Sequence, residues 1–420
     1  MKKKNLTWLL AAEILLLLIL AGVVVWLTGR GALLQKPDPT DPPVTTTGAT
    51  TAATTETTAE TTTVPETEPA TEATTVPEPV PEHYWLSFAG DCTLGTMYQY
   101  YAAASCFPGV VGDNYAYPFA GVQEWFASDD LTLVNLEGPL TNEGTPADKA
   151  FCFRGDPAYV NILTEGSVEF VNLANNHSED FGPVGYENTQ KALDGAGVSY
   201  AGNGETIIHE TDRGLKVGIL CVAFYIDHEE MAQKIVSLKD RGAQVVIVSF
   251  HWGEQGYYHP TYDQSWYAYA AIDAGANIVY GHHPHVLQPI EEYNGGIIYY
   301  SLGNFAFGGN DCPADFDTAV IQQEIIVDVD GTVSLGQTNT VPCSISPEDD
   351  YNRFQPTPAE EGSVRYDRVM EKLSGTYYGP NVVPSYETEE TTGETVAEST
   401  AEATEAPGET TQAASDAAQE

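Results

Sequence analysis

The chain has 420 residues, with 60 Asp and Glu against 17 Lys and Arg, and its formal net charge at pH 7 is −43. Two low-complexity ends carry part of this charge, and so large an excess disfavours nucleic-acid binding and a surface that lies flat on anionic lipid. None of the six cysteines forms a Cys-x-x-Cys pair, so a zinc ribbon or a thioredoxin-like site is not expected.

The N-terminus carries the features of a membrane anchor. Lys2, Lys3 and Lys4 precede an apolar run from Leu6 to about Leu27 that contains one acidic residue. About 20 such residues can cross a bilayer, and secretory signals have shorter apolar cores and a small-residue cleavage site. We therefore predict an uncleaved signal-anchor helix in residues 1–30, with the N-terminus in the cytoplasm and the rest of the chain outside the cell.

Residues 31–82 and 381–420 are rich in Thr, Pro, Glu and Ala and have few large apolar side chains. Such segments cannot bury enough surface to offset the loss of chain entropy, so both are predicted to be disordered. The first would be a stalk that holds the domain away from the membrane, and the second an acidic tail.

Between residues 83 and 380, strand-length apolar segments alternate with helical patterns, which predicts an α/β fold with covered sheets. The predicted strands are Trp85–Gly90, Leu131–Leu136, Val168–Leu173, Leu215–Phe224, Val245–Phe250, Asn277–Tyr280, Ile297–Leu302 and Thr318–Val329. The predicted helices are Phe119–Ala127, Pro157–Glu165, Gly185–Ala196, Glu229–Arg241, Asp263–Ala274 and Glu360–Leu373.

Polar residues follow six of these strands. They are Asp91, Glu137, Asn175-Asn176-His177, His251, His282-His283-Pro284-His285 and Asn304. Ligands bind at the carboxyl ends of strands in open α/β sheets, so the six ends are expected to share one rim. Carboxylates mixed with amides and imidazoles suit Mn, Fe or Zn better than Ca or Mg. The set therefore predicts one or two divalent transition-metal ions, although any single histidine would more often be a surface or core residue.

The same segments resemble the CapA family of capsule-synthesis proteins. The resemblance covers roughly residues 83–310 and is carried, in order, by Gly90-Asp91, Asn135-Leu136-Glu137, Asn175 to Gly182, His251-Trp252-Gly253, Gly281 to Val286 and Ser301 to Phe305. It implies a metallophosphoesterase-like fold for residues 83–380, a four-layer α/β/β/α sandwich with a dinuclear metal site.

The resemblance also implies roles for individual residues. Glu137 would bridge two metals, with Asn176, His251 and His283 on one ion and with Asp91 and His285 on the other. The general acid would be His177, oriented by Asp180. Arg154 would grip an anionic substrate, and Asn304 would also bind substrate.

Two positions depart from the metallophosphoesterase pattern. Thr93 stands where those enzymes have a histidine, and Glu137 replaces a shorter aspartate. Both changes weaken one metal position, so a mononuclear or catalytically altered site is also possible.

Two functions stay open at this point. One is a metal-dependent hydrolase outside the cell that acts on a phosphoester or another polar bond of an envelope polymer, in the synthesis or export of capsule or poly-γ-glutamate. The other is a non-catalytic, metal-containing accessory factor for the same process. The expected partners are an anionic envelope polymer or its phosphorylated precursor, together with polymer-synthase membrane subunits.

Overall fold

A computed structural model of the chain describes residues 79–382. The predicted signal-anchor helix, nearly all of the stalk and nearly all of the acidic tail lie outside the described residues. Within residues 79–382, no helix combines the length and the apolar character that crossing a bilayer requires.

The described residues form sixteen β-strands and seven α-helices. The strands are β1 (Glu82–Thr93), β2 (Thr96–Met97), β3 (Leu131–Leu136), β4 (Phe153–Arg154), β5 (Phe170–Asn172), β6 (Ser199–Ala201), β7 (Thr206–Glu210), β8 (Lys216–Ala223), β9 (Val245–His251), β10 (Ile278–His282), β11 (Ile290–Tyr293), β12 (Gly296–Tyr299), β13 (Asn304–Phe307), β14 (Asp317–Val327), β15 (Val333–Ser344) and β16 (Thr357–Pro358). The helices are α1 (Phe107–Val111), α2 (Gln123–Phe126), α3 (Val160–Glu165), α4 (Gly182–Ala196), α5 (His228–Asp240), α6 (Tyr262–Asp273) and α7 (Val364–Leu373).

Most of the strands belong to two mixed sheets. The larger sheet has the order β16-β15-β14-β1-β3-β5-β6, and β13 also pairs with β1. Strands β13, β1, β3, β5 and β6 of this sheet run parallel to one another. The pairs β1–β14, β14–β15 and β15–β16 are antiparallel. The smaller sheet has the order β11-β12-β10-β9-β8-β7, with four parallel strands between two antiparallel edges. The parallel strands of each sheet therefore present their carboxyl ends at one edge.

The core forms three apolar layers, and β9 shows how one strand serves two of them. Val245 and Ile247 pack between the two sheets, whereas Val246 and Val248 pack against α5 and α6 on the outer face. Helices α1, α3 and α4 cover the outer face of the larger sheet in the same way. Because successive side chains point to opposite faces, a strand covered on both sides is apolar at nearly every position. The prediction of a mixed α/β fold is confirmed.

Several predicted bounds differ from the observed elements. The helix predicted at Phe119–Ala127 is only α2, since the residues before it form turns in which the N–H of Val122 donates to the backbone oxygen of Phe119. The last helix begins at Val364, where the side chain of Ser363 caps it, rather than at Glu360. Strands β7 and β15 were not predicted because β7 is short and half-buried and because much of β15 is exposed and polar, so neither has a long apolar run.

A buried ion cluster fixes α7 to the rest of the domain. Lys372, whose side chain is 1% exposed, lies 2.6 Å from Asp315 and 2.7 Å from Asp317. Arg368 adds two bonds of 2.6 Å to Asp317. Although burial alone would raise the pKa of Asp317, the bonds from Arg368 and Lys372 hold that pKa below its ordinary value. The cluster lets a charged helix face pack against the core.

We predict that Lys372→Met lowers the free energy of unfolding by about 3 kcal/mol, because it leaves Asp315 without its cation and Asp317 with arginine partners only. The exposed Lys191→Met, which breaks a surface pair with Glu187, should change it by less than about 0.5 kcal/mol. Since the pKa of Asp317 is depressed in the folded state, the cluster stabilises the protein above about pH 4 and loses that effect as the pH falls further.

Urea unfolding of both variants from pH 7 to pH 3 measures these differences. Equal effects of Lys372→Met and Lys191→Met at pH 7 would show that the cluster contributes nothing.

Candidate metal centre

The carboxyl ends of the two sets of parallel strands meet at one edge of the domain. In the larger sheet, Asp91 of β1 lies opposite Asn135 of β3 and Asn304 of β13. In the smaller sheet, His251 at the end of β9 lies opposite His282 at the end of β10. Pairing within each sheet therefore brings the polar strand ends together, and contact between the sheets brings the two groups to one place.

Two glycines allow backbone segments to approach one another closely at this edge. A β-carbon at Gly90, just before Asp91, would lie 2.0 Å from the backbone oxygen of Gly303. A β-carbon at Gly281, just before His282, would lie 2.1 Å from the backbone oxygen of Tyr300. Any larger residue would push the neighbouring strand away, so these glycines bring the strand ends into contact.

The loop that follows β10 has an unusual backbone conformation at both of its histidines. His283 has φ 96° and His285 has φ 57°, a region that residues with a β-carbon rarely occupy. Conformations of this kind cost about 1–3 kcal/mol each and persist where the surrounding structure enforces them. The loop thus holds two imidazoles at the centre in a conformation that the free chain would avoid.

Glu137 lies in the middle of the cluster. Its side chain is fully buried, and its Oε1 atom has no hydrogen-bond partner within residues 79–382. Three imidazole Nε2 atoms surround that oxygen, those of His251 and His177 at 3.9 Å and that of His285 at 3.8 Å. These distances are too long for hydrogen bonds. Two ligands of one ion, each bound at about 2.0–2.2 Å, lie at most about 4.3 Å apart.

The site therefore fits a metal ion. The ligand atoms of Asp91, Glu137 and His251 lie within 4.8 Å of one another, and all three residues are buried. Burial and the negative charge of Asp91 raise the pKa of Glu137 to about 8. A divalent cation would offset this buried charge and give the unpartnered oxygen a ligand bond.

Asn176, His251 and His283 form one group of candidate ligands. Nε2 of His251 lies 2.7 Å from Oδ1 of Asn176 and 3.0 Å from Nδ1 of His283. Burial and the neighbouring His283 hold the pKa of His251 well below its ordinary value, and burial is also the main cause that lowers the pKa of His283, to about 3. Both imidazoles are therefore neutral at pH 7, which is the form that binds a metal.

Asp91 forms a second group with His285. Oδ2 of Asp91 lies 3.2 Å from Nδ1 of His285, while Oδ1 accepts a hydrogen bond of 2.8 Å from Asn135 and lies 3.3 Å from Nδ1 of His282. Burial alone would raise the pKa of Asp91, but His282 and His285 hold it well below its ordinary value. These two groups match the two ligand sets that the family resemblance implies, with Glu137 between them.

His177 is held beside the ligands by its own partners. Its Nδ1 lies 2.9 Å from Oδ2 of Asp180, which leaves Nε2 on the side of Glu137. Lys149 forms an ion pair with Oδ1 of Asp180 and donates a 2.8 Å hydrogen bond to the backbone oxygen of Asn176. The ring of Phe153 covers the imidazole at 4.5 Å between centroids. Burial is the main cause that lowers the pKa of His177, against the opposing effect of Asp180.

The structure places the two predicted substrate-binding residues differently. Asn304 lies at the centre, where its Oδ1 is 2.9 Å from Nδ1 of His285, so it orients a candidate ligand. Arg154 does not join this cluster. Its guanidinium lies over the rings of Tyr101 at 4.9 Å and Phe181 at 5.4 Å. Successive residues of β4 point to opposite sides, and Phe153 takes the side that faces His177.

Sequence reasoning missed three residues that contact the proposed site residues. Asn135 and His282 stand in the motifs that predicted the site, and either could have been proposed as a support for Asp91. Lys149 had no such signal, because it lies in an irregular loop between β3 and β4. Only the folded chain brings that loop over Asp180.

Comparison with known proteins gives consistent matches. The family model of the bacterial capsule synthesis protein PGA_cap matches residues 85–309. The capsule biosynthesis protein CapA of Bacillus anthracis is 34% identical over 220 residues, which cover 46% of this chain and 54% of that protein. The PGA biosynthesis protein CapA of Bacillus subtilis (strain 168) is 29% identical over 280 residues, 61% of this chain and 70% of that protein. The match to the Bacillus anthracis protein thus spans about half of its length.

Among solved structures, the NAD nucleotidase (NadN) of Haemophilus influenzae aligns with a TM-score of 0.36 and 11% identity. That alignment covers 70% of this chain and 63% of the nucleotidase. A similarity of this size supports no conclusion.

We predict that Glu137→Gln weakens the binding of Mn²⁺ or Zn²⁺ by at least about 100-fold, since even residues that only support a ligand contribute about 10–100-fold. The matched variant Glu324→Gln, on β14, should bind metal like the unchanged protein. Calorimetric titration of the metal-depleted protein measures both affinities. Equal affinities in the two variants would remove Glu137 from the centre.

Proposed function

The chain belongs to the bacterial capsule synthesis protein family PGA_cap, and from that premise we propose that it is a metal-dependent hydrolase of an envelope polymer. Membership confirms the resemblance to the CapA family. The bond cleaved would be a phosphoester or another polar bond, during the synthesis or export of capsule or poly-γ-glutamate. The observation that carries the proposal is the buried triad of Asp91, Glu137 and His251 beside the His177–Asp180 pair.

The metal would be held by the two groups of side chains described above. Asn176, His251 and His283 would bind one ion, Asp91 and His285 a second, and Glu137 would lie between them. A bound divalent metal of this kind polarises a phosphoryl group and lowers the pKa of water. The order of layers, with helices outside two packed sheets, is also that of metallophosphoesterases and supports the same reading.

The proton donor would be His177. With Nδ1 directed to Asp180, the imidazole presents Nε2 to the centre, and in its imidazolium form it would protonate the oxygen that leaves phosphorus. The oxygen of the attacking water would form the new bond to phosphorus while the bond to the leaving oxygen breaks, and the proton released by the water would pass to solvent. Lys149 balances the charge of Asp180, and Phe153 keeps water from the covered face of the imidazole. These contacts would fix the position of the acid before substrate binds.

The proposed location is the outer face of the cell membrane, with residues 1–30 as a single-pass anchor whose N-terminus is cytoplasmic. Its support is the sequence alone, namely three lysines followed by an apolar run of membrane-spanning length. On this proposal the domain meets an anionic envelope polymer, or its phosphorylated precursor, next to the membrane subunits of a polymer synthase.

One observation favours the second function, a non-catalytic accessory factor. Thr93 is buried where a metal-binding histidine is expected, and its hydroxyl has no hydrogen-bond partner in residues 79–382. A neutral hydroxyl is a weaker ligand than an imidazole, so one metal position would be incomplete. On that reading the metal would be structural or would coordinate polymer carboxylates.

The hydrolase proposal predicts that His177→Gln lowers kcat on glycerophosphocholine, a phosphodiester with an alkyl leaving group, by about 10²–10⁴-fold, because a positioned acid contributes about that much. Metal content should stay unchanged, since His177 is not one of the proposed ligands. The matched variant His209→Gln, at the edge strand β7, should keep full activity.

Metal analysis and steady-state kinetics on the same samples separate the two functions. A protein that retains its metal but turns over no member of a broad phosphoester panel would support the accessory role instead.

A further inference from the structure

A cavity of about 650 Å³ opens directly beside the proposed metal centre. His177, His285 and Asn304 form the wall that it shares with the centre. Its volume is in the range of pockets that hold small ligands. Whatever group is attached to the bond at the metal centre would therefore extend into this space.

Aromatic rings form much of the cavity wall. Phe153 lies 4.5 Å from the ring of His177, and Phe307 lies 5.3 Å from the ring of His285. Phe151 is 38% exposed and Tyr100 is 59% exposed in the same cavity. An aromatic face favours a flat ligand whose C–H bonds meet the ring, while the edge of the ligand stays polar.

Polar groups on the same wall complement these rings. The cavity is also lined by Thr96, Ser105 and Asn310, which offer hydroxyl and amide groups. Rings that pack against a ligand face, combined with neutral groups that reach its edge, are what a sugar requires, because a pyranose has an apolar C–H face and a rim of hydroxyls.

The charge of the cavity disfavours a polyanion. No Lys or Arg is among the described residues that line it, and two carboxylates, Asp311 and Asp315, are. Lys372 neutralises Asp315, whereas Asp311 is exposed and accepts a hydrogen bond from Tyr351.

Residues 79–382 also carry 41 of the 60 acidic residues and only 12 of the 17 Lys and Arg, so most of the net charge lies here and not in the ends. A polymer with a carboxylate on every unit would be repelled.

A second aromatic surface lies on the other side of the centre. The ring of Phe224 is 5.5 Å from that of His283 and is 39% exposed. Tyr225, 58% exposed, continues this surface by packing on Tyr267, and Trp266 packs edge-on against the same ring. A chain of sugar rings could therefore contact aromatic side chains on both sides of the centre.

We infer that the substrate is a sugar phosphoester whose phosphate lies at the metal centre and whose uncharged sugar ring occupies the cavity. This inference rests on the hydrolase function proposed above. Hydrolysis would join the water oxygen to phosphorus and break the bond from phosphorus to the sugar oxygen. That oxygen would take its proton from His177, so the sugar leaves as an alcohol and the phosphoryl group keeps the water oxygen.

Binding measured without metal tests the sugar site separately from catalysis. The full-length chain in EDTA is titrated calorimetrically with cellobiose, maltose and N,N′-diacetylchitobiose, and separately with hexa-γ-glutamate. We expect at least one disaccharide to bind and hexa-γ-glutamate not to bind. Tyr100→Ala should weaken disaccharide binding about tenfold, whereas Tyr262→Ala, an exposed tyrosine of α6 that does not line the cavity, should leave it unchanged.

Asp311→Lys tests the charge argument, because it should give the cavity measurable affinity for hexa-γ-glutamate. Binding of hexa-γ-glutamate to the unchanged protein that Tyr100→Ala weakens would overturn the inference, as would the absence of binding by all three disaccharides. Failure of the hydrolase proposal would appear elsewhere, as a protein that retains its metal but turns over no member of the phosphoester panel.

Discussion

Two carboxylates buried side by side are the constraint on which the functional end of this domain depends. Asp91 and Glu137 are both fully enclosed, and neighbouring buried negative charges are unfavourable unless a proton or a cation offsets them. The surroundings of Asp91 and Glu137 shift the pKa values of the two carboxyl groups in opposite directions. Imidazoles and an amide stabilise Asp91 as an anion, whereas Glu137 is held toward its protonated form, and one of its oxygens has no hydrogen-bond partner among the described residues. A cation shared by several imidazoles would satisfy this arrangement, which is why the metal is central to the proposed function.

The fold maintains this arrangement through its backbone as well as its side chains. Glycine at positions 90 and 281 allows neighbouring backbone segments to contact the strand ends. The loop after β10 holds His283 and His285 at positive φ. Extensive packing between the sheets stabilises the edge where these features occur. Local strain at one end of a well-packed sandwich is typical of functional sites, because the rest of the structure holds the strained residues in place.

Aromatic rings and acidic residues surround the proposed metal centre, and both bear on which substrate it would accept. Phenyl rings of Phe153, Phe307 and Phe224 lie against His177, His285 and His283, so the histidines of the centre face aromatic surfaces as well as one another. Such rings exclude water from the imidazoles and offer flat faces to a ligand. An acidic domain with no Lys or Arg among the described residues that line its cavity is poorly suited to a chain of carboxylates. The aromatic cavity and the metal centre together favour a substrate whose negative charge is confined to one phosphate.

The sequence by itself determined the α/β fold and the segments that form the candidate metal centre, because strands covered on both faces have a recognisable apolar pattern and parallel strands place their ends at one edge. The family resemblance then selected Asp91, Glu137, Asn176, His251, His283 and His285 from these segments as the proposed ligands. Only the tertiary structure decided which residues support them, since Lys149 reaches Asp180 from a loop without any pattern and Arg154 turns toward Tyr101 and Phe181. The cavity could not be predicted either, because its walls come from segments far apart in the chain and their meeting depends on packing between elements.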